Sequence, residues 1–147
     1  MLLRKWLPQV LVSLQFFLAA LIVLTINVGA VPIAAGIASG GGILLWAWAI
    51  FTMKWSRLSM QPDVSTHAKL LTRGPFRLIR HPMYSGLVLF LLGCVFSPFL
   101  LSRVAAWLVL VAVLVCKARI DEQHLLRQFS DYAEYQNRTK RFVPFLF

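Results

Sequence analysis

Acidic residues are scarce in this chain. Five Asp+Glu stand against fifteen Lys+Arg in 147 residues, giving a formal net charge of +10. The two long apolar blocks, 7–26 and 33–53, hold no charged residue at all. That argues against a small four-span transporter or assembly protein, since such carriers commonly need an acid or base inside a span. Cysteine is nearly absent too. Cys94 and Cys116 both sit in apolar runs, with no CxxC or Cys/His spacing. No metal site and no disulfide framework is expected, and both read as small core- or lipid-facing side chains. Of the histidines, His67 has no partner at ligand spacing and reads as a solvated loop residue.

Hydrophobic residues make up 59% of the chain and its mean hydropathy is +0.74, which marks a membrane protein. In a soluble chain the positive charge would suggest nucleic acid. Here the cations cluster between and after the apolar blocks. Topology and anionic lipid head groups account for them, and no nucleic-acid partner is expected. Arg4 and Lys5 before the first block imitate a signal peptide, but the apolar run is too long and no clean small-x-small site follows, so a retained span is expected.

The predicted fold is all-α and integral to the membrane, a single domain over 1–147. Four transmembrane helices are expected, followed by an amphipathic cytoplasmic helix. The first two spans cover Leu7 to Ile26 and Ile33 to Met53, joined by an uncharged turn at Asn27–Pro32. Gly36-Ile37-Ala38-Ser39-Gly40 sets small residues one turn apart, which permits close helix packing or mere tolerance. The last two spans, Tyr84 to Phe96 and Leu100 to Cys116, flank Ser97-Pro98-Phe99 and are each shorter than the roughly 20 residues of an ordinary span. They read as a short hairpin. From Arg119 the chain is expected to leave the membrane, with Leu125, Leu126, Phe129, Tyr132 and Ala133 forming one amphipathic face. The tail Phe142–Phe147 is expected to return to the interface. Apart from Arg103, every Lys and Arg lies at the N-terminus, in 54–81 or from Lys117 onward, which predicts that both termini face the cytoplasm of a plasma, inner or endoplasmic-reticulum membrane.

The stretch around which the rest is organised is Arg80-His81-Pro82-Met83-Tyr84-Ser85-Gly86. Pro82 biases His81 away from helical geometry and suits the first turn of the following helix. Free N–H groups there, beside a His and a Tyr, can hold an anionic or polar ligand head. At the far end of the hairpin come Lys117, Arg119, Asp121, Glu122 and His124. One short hairpin forces the two groups onto the same face.

The series Gly-Pro-Phe-Arg-x-x-Arg-His-Pro-x-Tyr-x-Gly at 74–86, Asp-Glu-x-x-Leu at 121–125, then Phe129, Tyr132, Tyr135 and Arg141-Phe142-x-Pro144 resembles the isoprenylcysteine carboxyl methyltransferase and phospholipid methyltransferase superfamily. The resemblance covers about 71–147. It implies an integral-membrane enzyme that uses S-adenosylmethionine (AdoMet) and takes a lipophilic substrate from the bilayer, either a carboxylate or an amine. It implies cofactor contacts from Arg80, His81, Pro82, Tyr84, Gly86, Asp121 and Glu122, and a catalytic group of Lys117, Arg119 and Glu122. The family's basic partner, commonly Arg, falls on Lys117, so Lys117 substitutes or Arg119 takes the role. Two residues apart on a helix, they cannot both face one pocket. Asp121 in place of a first Glu and Ser130 in place of Gly are further departures. Sterol reductases share the His-Pro-x-Tyr-x-Gly element, but usually carry an Asp where this chain has Leu87, and have many more spans.

Overall fold

The computed structural model describes residues 3–27, 29, 31–59 and 70–144. His67 and the tail residues Phe145, Leu146 and Phe147 lie outside them. Among these residues five α-helices follow in order: α1 (Leu3–Leu24), α2 (Ile33–Ser59), α3 (Pro82–Val95), α4 (Leu101–Gln128) and the short α5 (Tyr132–Arg138). Three of them, α1, α2 and α4, are long and apolar enough to cross a membrane, whereas α3 has only 14 residues.

The expected hairpin of two short helices is therefore half right. Its first arm is short, but α4 runs 28 residues and carries straight through Lys117, Arg119 and Glu122. Charged residues end a span without ending a helix, because Lys, Arg, Glu and Gln are all good helix formers. The amphipathic helix expected over 125–133 is in fact divided. Leu125 and Leu126 belong to the last turns of α4, and Phe129 is extended (φ −125°, ψ 120°), so Tyr132 and Ala133 open a separate helix.

The turns α1–α2 and α3–α4 meet at one end of the bundle. There Asn27 N–H donates to Ser97 O at 3.0 Å and Ser97 Oγ to Asn27 O at 2.6 Å. Arg103, buried at 3% exposure, donates to Thr25 Oγ1 (3.0 Å), Pro98 O (2.9 Å) and Ser97 O. Its Nε and Nη1 donors pin the end of α1 to the α3–α4 turn. Inward from that pin, Leu18, Ile22, Leu91, Cys94, Leu110 and Leu114 form the core between α1, α3 and α4.

Helices α2 and α3 pack backbone to backbone. A Cβ on Gly86 would stand 2.8 Å from Gly42 O, and one on Gly42 would meet the Phe90 backbone. Only hydrogen fits at such an approach. Gly93 of α3 lies against Ala35 and Ser39 of α2, and Ser39 Oγ donates to Phe90 O at 3.0 Å, so Ser39 of the small-residue motif joins this packing while Gly36 and Gly40 have nothing within 4 Å. Gly74 (φ +59°) makes the turn into a short 3-10 helix, Gly74–Arg77, with its Cα against Thr52.

Candidate active site

The loop before α3 has the geometry its proline demands. His81 caps the helix at φ −122° and ψ 60°, and Pro82 is its first residue. The chain after α5 lies alongside this loop. Lys140 N–H donates to Leu78 O (3.2 Å), Arg80 N–H to Lys140 O (2.7 Å) and His81 N–H to Arg141 O (3.1 Å), in a parallel bridge. Ser85 Oγ adds a bond to Phe142 O at 2.7 Å. Residues 139–142 are thus a strap across the N-terminus of α3.

Glu122 fastens that strap. It is 3% exposed, and its oxygens accept from Arg80 Nε at 2.9 Å, from Arg141 Nε and Nη2 at 3.1 and 2.7 Å, and from Gln136 Nε2 at 3.3 Å. His81 Nε2 lies 3.3 Å away. Burial holds the His81 imidazole below its ordinary value despite the opposing pull of Glu122. Arg80 also donates to the Gln136 and Thr139 carbonyls. Two arginines, one of them bidentate, thus tie this carboxylate to the 80–81 loop and the strap.

The preceding residue points elsewhere. Asp121 Oδ2 accepts from Tyr84 Oη at 2.8 Å, and Oδ1 makes no hydrogen bond among the described residues. The Tyr84 ring stacks on His81 (centroids 5.3 Å, planes 2° apart), and Phe142 tilts against both. One turn back along α4, Lys117 Nζ sits 5.1 Å from the Tyr84 centroid and donates to Gln15 Oε1 of α1 at 3.3 Å. Lys117 has no carboxylate within ion-pair distance among the described residues. Tyr132 Oη is buried beside the Glu122 cluster with no hydrogen-bond partner among the described residues, and burial pushes its phenol up to about 12.

On the other side of α3 an apolar cleft of about 520 Å³ opens between α2, α3, α4 and the strap. Trp48, Val88, Trp107, Leu114 and Phe142 are among its walls.

The structure thus gathers His81, Tyr84, Lys117 and Asp121 on one side of α4 and Arg80 with Glu122 on the next. Pro82 and Gly86 shape the helix start and its packing, and touch neither group. Arg119 is exposed and stays apart, and His124 is exposed as well. Sequence reasoning left Gln15, Gln136 and Arg141 out of the site. Gln15 carried a signal, being one of few polar residues in an apolar block; Gln136 carried none.

These features define a class: a helical membrane protein with an acid, a cation and an aromatic stack at one end of its bundle, beside an apolar cleft. A family model described as phospholipid methyltransferase matches residues 30–132, and the chain belongs to that family. It is 36% identical over 86 residues to Protein-S-isoprenylcysteine O-methyltransferase B of Arabidopsis thaliana, a match covering 54% of this chain and 42% of the relative. The chain thus spans less than half of that relative's length. No solved structure matches it.

Proposed function

We propose that this chain is an AdoMet-dependent methyltransferase whose acceptor is lipophilic and carries an anionic group, a carboxylate of the prenylcysteine type. The observation that carries this reading is Lys117: a half-buried ammonium, met by neutral groups among the described residues and set one helical turn along α4 from Leu114, which lines the apolar cleft that Lys117 itself does not line. An acceptor carboxylate would supply the charge this ammonium lacks, and its hydrocarbon would fill the cleft.

The residues present fit AdoMet. Bound there, it would supply an electrophilic methyl group on a sulfonium. Asp121 offers a carboxylate oxygen with no hydrogen-bond partner among the described residues, beside the stacked Tyr84 and His81 rings, and a carboxylate attracts a cation. Lys117 and Asp121 stand four residues apart on α4, about 6 Å along its axis, so an anion holder and a cation holder lie one turn from each other. An anionic acceptor needs no general base, and orientation in a water-poor site does the work. Glu122 enters only by holding the Arg80–His81 loop and the strap in place.

Calorimetric titration tests the cofactor assignment. Wild-type protein in detergent is expected to bind AdoMet, and Asp121→Asn to weaken it about tenfold, the scale of one charge-assisted contact. Equal affinity in the two would remove Asp121 from the site. The basic end of the bundle is assigned to the cytoplasm on its excess of Lys and Arg. A thiol introduced by Asn137→Cys should react only from that side, and reaction from outside would reverse the assignment.

A further inference from the structure

Gln15 stands in the middle of α1 at 8% exposure, within a block that has no charged residue. A buried amide in a span is costly unless it is bonded. Its neighbours on the inward stripe are Leu18 and Ile22, which belong to the core. The α1–α4 contact therefore has a polar pin at each end, Thr25 with Arg103 and Gln15 with Lys117. The two pins differ in what they leave over. Arg103 is surrounded by one hydroxyl and two carbonyls, and its own helix end closes around it. Lys117 is met by a single amide oxygen and a ring face, both uncharged. An ammonium has three donors, so this arrangement fixes where Lys117 sits, with no carboxylate within ion-pair distance of it among the described residues.

We infer that Gln15 is a positioning residue. Its amide carbonyl holds the Lys117 ammonium over Tyr84 and, being neutral, keeps that ammonium available to an anionic acceptor. A Glu at this position would make the same contact more strongly and consume the charge. A Leu would free the lysine to extend along its flexible stem toward water. The inference rests on the reading of Lys117 given above, and adds to it a first-span residue 102 positions away in sequence.

The test compares two probes that differ in one charge, N-acetyl-S-farnesylcysteine and its methyl ester, bound to detergent-solubilised protein and measured by native mass spectrometry. Wild-type protein is expected to prefer the acid by about tenfold or more, and Lys117→Gln to lose that preference. Gln15→Glu should lose it as well, while thermal stability is equal or higher and AdoMet affinity is unchanged. A purely structural pin predicts the reverse, with preference intact wherever the protein is folded. Thr25→Val at the other pin should lower stability and leave the preference alone. Should Gln15→Glu not fold, Gln15→Leu carries the same test, with a reduced preference expected. Preference lost in Lys117→Gln but kept in folded Gln15→Glu or Gln15→Leu overturns this inference alone. Preference kept in Lys117→Gln, or absent from wild type, overturns the reading of Lys117 and this inference together.

Discussion

Replacing Glu122 with Ala is expected to destabilise the protein by about 3–5 kcal/mol, the cost of stranding buried charge once its partner is removed. Arg80 and Arg141 would each lose their ion pair with the buried Glu122 carboxylate. The strap would lose its carboxylate anchor at the same moment, keeping its backbone bonds to the 78–81 loop and the bonds from Ser85 Oγ and Arg80 to its carbonyls. In a chain of this size such a loss corresponds to a fall in Tm of roughly 10 °C or more. Thermal unfolding in detergent reads it directly, and limited proteolysis should find new cleavage around residues 138–144. Glu122→Gln keeps the shape and loses the charge, so it should fall between Ala and wild type. A Glu122→Ala protein as stable as wild type would mean that the carboxylate is not a brace. It would return to being a candidate for direct contact with ligand.

The second large effect belongs to Lys117. Lys117→Gln should leave AdoMet affinity close to wild type and reduce methyl transfer by about a hundredfold, since misplacing a reacting group by a small distance costs that much. The loss should appear in both KM for the acceptor and turnover, as expected for a group that holds and orients the acceptor. Arg119→Gln should be near wild type in both, because Arg119 is exposed two residues on and faces away from Tyr84. If Arg119→Gln is the variant that loses turnover, the acceptor lies on the opposite side of α4 from the one argued here.

Much of this was legible in the sequence, and the reasons are specific. The apolar blocks announce their helices because 20 uncharged residues have few other places to go. Pro82 announced the start of α3, and the order of motifs brought Arg80, His81, Tyr84, Asp121 and Glu122 to one end. What stayed hidden was how two adjacent acids divide their work. Asp121 and Glu122 differ by 100° around a helix, and which arginines wait on each side depends on the path of the strap. Arg141 lies 19 residues beyond Glu122, and nothing local in the sequence says that the chain turns back to it. The length of α4 was misjudged for a related reason. The change from apolar to charged at Lys117 marks where the bilayer is expected to end, while the helix ends only at Phe129, where the backbone becomes extended. Gln15 stood out as a polar residue in an apolar block, but its partner Lys117 showed only once α4 was seen to pack along α1.

The central claim is that this site moves a methyl group from AdoMet to a lipophilic carboxylate. It is tested most directly by incubating purified protein in lipid vesicles with methyl-labelled AdoMet and N-acetyl-S-farnesylcysteine, then treating the organic extract with alkali. An ester gives up its methyl as volatile methanol under alkali, and an N-methylated amine does not. The account predicts volatile label that depends on added acceptor and is lost in Lys117→Gln. Label that resists alkali and follows a phospholipid amine in the vesicles, or no transfer by a folded protein that binds AdoMet, would contradict it.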